Sequence, residues 1–174
     1  MTATSIISVI RPNPALTAAL GVAAGGIATI LGAYFFQYVL EVLPCELCLL
    51  QRKAYYVAIP LALIVAFVVS REPPRSVIVG GLGLLAIVML IGTGIAIYHS
   101  GVEWKLWAGP QDCTGDLNSL SGGSILDIIE RTKIVRCDQA TRFFGVSLAN
   151  ANIVLSFILA AVAAWGIKAE RARG

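Results

Sequence analysis

The chain has 174 residues, of which 57% are hydrophobic and only 13% charged, with a mean hydropathy of +0.82. Soluble domains carry about 45–50% apolar and about 25% charged residues. This balance therefore excludes an ordinary soluble domain, and equally a disordered chain, which needs the opposite composition. The length suits one domain, and a net charge of +3 from 13 basic and 10 acidic residues gives no basis for nucleic-acid binding.

The charges leave four long gaps: Pro12 to Leu40, Ala54 to Ser70, Ser76 to Tyr98 and Phe143 to Ile167 contain no Asp, Glu, Lys or Arg. Crossing about 30 Å of hydrocarbon as a helix takes roughly 20 residues, range about 17–25. The gaps lack the period-2 alternation of a membrane β-barrel. The expectation is an all-α integral membrane protein, a four-transmembrane-helix bundle with spans at about 15–40, 49–70, 76–98 and 145–167, in a single domain over 1–174. The first apolar stretch is much longer than the 7–15-residue core of a signal peptide, so it is expected to remain as a span.

The connections divide sharply by length. Arg71-Glu72-Pro73-Pro74-Arg75 is a tight turn, since two prolines cannot continue a helix. Residues 41–50 form a short link, whereas His99 to Arg142 is a loop of about 44 residues, a length that usually signals function. Within it, Ser124-Ile125-Leu126-Asp127 has the form of a capping box opening a short amphipathic helix to about Thr132. Four spans put both termini and the 71–75 turn on one side. Basic residues are denser there (Arg11, Arg71, Arg75, Lys168, Arg171, Arg173), which favours cytoplasmic termini and extracytoplasmic long and short loops.

All four cysteines then fall on the opposite, non-cytoplasmic side: Cys45 and Cys48 in the short link, Cys113 and Cys137 in the long loop. Disulfides persist in such oxidising compartments. Cys45-Glu46-Leu47-Cys48 opens the second span behind Pro44, a residue suited to a helix start. Partial positive charge and unpaired N–H groups at a helix N-terminus stabilise a thiolate, and Arg52 stands one turn past Cys48. A depressed thiol pKa and an easily reduced disulfide are expected. Cys113 and Cys137 lie 24 apart in a glycine-containing loop, accessible to a protein partner.

Other readings compete on these residues. Two structural disulfides are the blandest, but a Cys-X-X-Cys loop is too short to constrain much chain entropy. A Cys₄ zinc site needs close spacing in its second pair, which is missing, and haem attachment needs His where Leu49 stands. No metal is expected. Arg52 at the hydrocarbon boundary could simply snorkel with Lys53; beside a Cys-X-X-Cys it is assigned instead to holding a polar oxidant such as a quinone oxygen. His99, the single histidine, ends the third span on the cysteine side. Gln37, Asn150 and Asn152 near the same end read as hydrogen-bonding glue between helices, and Gly21 to Gly25 as a close-packing GxxxG. Trp104 and Trp107 read as interfacial anchors.

The run Pro44-Cys45-Glu46-Leu47-Cys48-Leu49-Leu50-Gln51-Arg52 closely resembles the first redox motif of the disulfide bond formation protein B (DsbB) family. Gly109-Pro110-Gln111-Asp112-Cys113-Thr114-Gly115, with Cys137, resembles the second. The resemblance covers essentially the whole chain. It implies a bacterial inner-membrane enzyme that uses quinone, ubiquinone or menaquinone, to reoxidise a DsbA-like periplasmic thiol oxidase. A DsbA–DsbB–quinone relay is what keeps the bacterial periplasm oxidising. Carried over by motif, Cys113 would be attacked by the partner's thiolate and electrons would pass from Cys113/Cys137 to Cys45/Cys48. Cys48 and Arg52 would then meet the quinone, with His99 near it. A vitamin K epoxide reductase-like enzyme is the alternative, although its Cys-X-X-Cys would be expected near a late helix.

Overall fold

The computed structural model describes residues 13–109, 133–134, 137, 142–143 and 145–173. Cys113 and the short helix expected at 124–132 lie outside the described residues. Four long helices dominate: α1 (Pro14–Tyr38), α2 (Glu46–Val69), α3 (Arg75–Glu103) and α4 (Leu148–Ala172), each long and apolar enough to cross a membrane. Two-residue strands β1 (Val42–Leu43), β2 (Lys133–Ile134), β3 (Arg142–Phe143) and β4 (Val146–Ser147) complete the described elements. The protein is a multi-pass membrane protein with a four-helix bundle, as the charge gaps predict.

The helix ends follow from local chemistry. Asn13 caps α1 by accepting at Oδ1 from the N–H groups of Ala15 and Leu16, with Pro14 at the first helical position. Ser147 caps α4 by accepting from the Asn150 N–H. At the far end of α3, Lys105 adopts φ 58°, and Lys105 and Leu106 N–H groups return to the Val102 and Gly101 carbonyls. This reversal is a Schellman motif built without glycine. It lets α3 continue past Tyr98, the last residue of the charge-free run, so His99 lies a turn inside the helix rather than at its end. The Trp107 indole also donates to the Tyr98 carbonyl and stacks on the Tyr98 ring, 5.9 Å between centroids.

Each helix packs on its two sequence neighbours and α1 closes the ring on α4, the arrangement short up-and-down connections produce. Close approach is set by small residues. A Cβ on Gly166 of α4 would stand 2.6 Å from the Ala18 Cβ of α1, and one on Gly25 would meet Leu159 at 2.6 Å. Gly21 and Gly25 thus both face α4, as expected of a GxxxG. Towards the termini the interior is dry: Ala15, Ala18, Ala19, Val65, Val69, Ile78 and Leu82 form one buried cluster. Higher up, Tyr55, Leu85 and Met89 fill the middle.

Outside, the pattern of a soluble protein is inverted. Leu31, Ile64, Phe67, Ile91 and Phe157 are all more than half exposed, while Gln51, Thr93, His99, Asn152 and Ser156 are buried. An apolar outer face is stable only against lipid, where buried polar groups must pair with one another. The long loop returns to this end, since β2 pairs parallel to β1 with Val42 opposite Lys133 and Leu43 opposite Ile134. A β3–β4 hairpin, turning through Gly145 at φ 84°, leads into α4.

Candidate active site

Cys45 is the N-cap of α2, and its Sγ accepts from the Cys48 N–H at 3.3 Å. The two sulfurs are 2.9 Å apart, with Cys45 donating to Cys48. That hydrogen bond, with burial adding to it, pushes the Cys45 thiol well above the usual range. The low thiol pKa expected of a helix start therefore does not extend to Cys45. As the donor, and fully buried, it holds its proton more tightly than a solvated thiol.

The link strand and the returning loop bring a third cysteine here. Cys137 is buried in one small cluster with Cys45, Leu47 and Val102, and Cys48 packs against it. Cys113, the remaining cysteine, lies outside the described residues. The Cys-X-X-Cys pair and the second member of the loop pair thus share one environment.

Cys48 has a second face, because it lines a cavity of about 520 Å³ between α1, α2 and α4. Gly32, Ala33 and Phe36 come from α1, Cys48, Gln51, Arg52 and Tyr55 from α2, and Leu148, Ala151, Asn152 and Leu155 from α4. Val42 to Pro44, Phe143 and Val146 complete its wall, and Phe143 meets Phe36 edge-on at 5.1 Å. The lining is mostly apolar, with Gln51, Arg52, Tyr55 and Asn152 among its polar groups. Arg52 donates to Gln37 Oε1 at 2.6 Å and to the Ala33 carbonyl at 3.3 Å, and lies 5.5 Å from the Tyr34 ring centre. Those contacts use two of its five N–H donors in the fixed guanidinium fork and hold the head group at the cavity wall instead of letting it snorkel. The cavity thus sets a mostly apolar slot, a guanidinium and a sulfur side by side.

His99 is bonded to a residue of this wall, Gln51, without lining the cavity itself. It is 2% exposed. Its Nε2 is 3.6 Å from Cys45 Sγ and 3.9 Å from Glu103 Oε1, and its Nδ1 is 2.8 Å from the Gln51 amide nitrogen. Glu103 in turn accepts a short hydrogen bond from the Ser147 hydroxyl, tying the end of α3 to the cap of α4. The structure therefore joins His99 to Cys45, and puts Arg52 and Cys48 on the wall of one cavity.

The expected polar glue is present as contacts between helices: Gln37 with Arg52, Asn150 with Ser100, and Asn152 with Gln51. Gln51, Tyr55 and Glu103 were not singled out from the sequence. Helical spacing holds a signal for two of them, since Cys48, Gln51 and Tyr55 follow at i, i+3 and i+7 along one face.

Cys45, Cys48 and His99 also place their donor atoms within 4.8 Å of one another. Two sulfurs about 2.3 Å from a tetrahedral zinc would stand about 3.8 Å apart. The two sulfurs instead stand 2.9 Å apart, hydrogen-bonded to each other.

No curated protein and no solved structure gives a match to the chain. The family model described as disulfide bond formation protein DsbB matches residues 15–166, which takes in all four helices and both sides of the cysteine cluster. The chain therefore belongs to the DsbB family, membrane oxidoreductases that act on thiols and generate disulfides.

Proposed function

We propose that this protein is a protein-dithiol:quinone oxidoreductase of the bacterial inner membrane, with its cysteine end periplasmic, and that it reoxidises a DsbA-like thiol oxidase. The observation that carries the reading is the two-sided placement of the Cys-X-X-Cys pair. Cys45 packs with Cys137, the loop cysteine, while Cys48 shares the cavity wall with Arg52. One side faces the source of electrons and the other faces a slot open to an acceptor.

The thiol steps balance as ordinary exchange. The partner's thiolate attacks Cys113 of a Cys113–Cys137 disulfide, forming the mixed disulfide and releasing Cys137. The partner's second thiolate displaces Cys113, so the partner leaves oxidised and both loop cysteines are reduced. Cys137 then attacks Cys45 of the Cys45–Cys48 disulfide, and Cys48 leaves as a thiolate. Cys113 displaces Cys45 from Cys137, which restores the loop disulfide and leaves two electrons on the Cys45–Cys48 pair. Gln51, Arg52 and Cys48 would hold a quinone in the cavity, and when bound it supplies a two-electron acceptor more oxidising than the partner. That supply is the need, since DsbA itself is poised near about −120 mV. Arg52 would stabilise negative charge developing on an oxygen held beside Cys48.

The test is reoxidation of a reduced DsbA-like protein by the purified chain with ubiquinone or with menaquinone. Quinone-dependent turnover is expected with one of them, and it should vanish in Cys48→Ser. Identical behaviour of Cys48→Ser and the unaltered protein would overturn the reading.

A further inference from the structure

An unbroken line of buried hydrogen bonds crosses the bundle and ends at Cys45. The Tyr55 hydroxyl pairs with Ser156 Oγ at 2.7 Å and donates to Asn152 Oδ1 at 2.5 Å. Asn152 Nδ2 donates to Gln51 Oε1 at 2.8 Å, and the Gln51 amide nitrogen faces His99 Nδ1 at 2.8 Å. His99 Nε2 then faces Cys45 Sγ at 3.6 Å. All of these side chains are buried among apolar helices, where each polar group must be satisfied by a neighbour.

The direction of the line is set at its far end. With Oδ1 turned to the Tyr55 hydroxyl, the NH₂ of Asn152 is the group turned to Gln51, where it donates to Oε1. That leaves Gln51 its own NH₂ for His99. An NH₂ group can only donate, so Nδ1 must be the acceptor and the ring hydrogen of neutral His99 must sit on Nε2. We infer that the Tyr55–Asn152–Gln51 line is a positioning device that fixes the tautomer of His99, aiming its Nε2–H at the sulfur of Cys45. The titratable groups around that ring among the described residues are Glu103 on its own helix, Cys45 and Cys48 at the start of α2, and Cys137 from the long loop.

The device matters at one step, and here the inference rests on the exchange order proposed above. When the Cys113 thiolate displaces Cys45 from Cys137, the Cys113–Cys137 bond forms and the Cys45–Cys137 bond breaks. The electron pair stays on Cys45 Sγ, a sulfur buried from water. A fixed N–H donor beside it stabilises that anion, and the proton stays on His99 throughout. The opposite tautomer would set a lone pair against the sulfur and slow its departure.

Because His99 is the single histidine, ¹⁵N-histidine labelling of the full-length protein in detergent micelles reports one ring. The expected spectrum of the reduced, unaltered protein shows Nε2 protonated and Nδ1 bare. A spectrum with Nδ1 protonated instead would overturn the inference whatever the activity. Gln51→Glu is near-isosteric but offers only acceptors, so it should move the hydrogen to Nδ1 and slow exchange by roughly 10- to 100-fold, the usual effect of losing a histidine's orienting partner. An unchanged tautomer and rate in that variant would also overturn it. Correct tautomers in both proteins, together with no quinone-dependent turnover in the unaltered one, would count against the proposed function and leave the positioning of His99 standing.

Discussion

The two ends of this bundle solve the same packing problem differently. Towards the termini, Ala15, Ala18, Ala19 and Gly166 let α1 and α4 approach until no polar side chain is needed between them. At the cysteine end, α2, α3 and α4 hold Gln51, His99, Ser100, Asn152 and Ser156 in the interior, and α1, α2 and α4 leave a cavity of about 520 Å³. Dispersion between close backbones holds the first end; paired hydrogen bonds hold the second. A cavity and buried polar groups both cost stability. The dry end supplies the rigidity that lets the other end keep them.

Breaking either end should produce different losses. The largest effect is expected from Cys48→Ser, which should remove turnover by on the order of 10³-fold or more, as loss of a reacting group does, while helix content by circular dichroism stays unchanged. Arg52→Ala comes next. Losing a charged hydrogen bond of about 1.5–3 kcal/mol should raise the KM for quinone roughly 10- to 100-fold, with the KM for the reduced thiol partner unaltered. Equal affinity for quinone in the variant would remove Arg52 from that role.

At the dry end the sign of the comparison reverses. Gly166→Val puts a Cβ 2.6 Å from that of Ala18, an overpacking expected to cost about 1–3 kcal/mol. Thermal unfolding in detergent should shift down, and turnover per folded molecule should hold. The smallest effect on stability belongs to Tyr55→Phe, which deletes the hydroxyl bonded to Asn152 and Ser156. Interhelical hydrogen bonds in membranes average about 0.6 kcal/mol, so the melting shift should be barely resolved. A larger drop than that of Gly166→Val would mean that the polar end carries the fold.

Much of this was legible before any coordinates. Four charge gaps located four spans, and the Pro44-Cys45-Glu46-Leu47-Cys48 run marked both a helix start and a redox pair. Helix ends were harder to read. The third span continues to Glu103, because polar residues can extend a helix past the lipid when a reversal such as that at Lys105 satisfies its carbonyls. The resemblance implies His99 near the oxidant; in the folded chain it sits against Cys45 and is bonded to Gln51, a residue of the cavity wall.

Hydropathy, span length and short-range spacing are properties of the chain alone, and they suffice for the solvent of this protein, the number of crossings and the helix start that carries the Cys-X-X-Cys pair. That Cys45 turns to His99 and Cys137, while Cys48 turns to the cavity that Arg52 also lines, follows from how the helices pack. Gln51 and His99 are 48 residues apart and Tyr55 and Asn152 are 97 apart. Periodicity says that two residues share a face of one helix, but which neighbouring helix meets that face depends on how small residues such as Gly25, Gly92 and Gly166 let the four helices close.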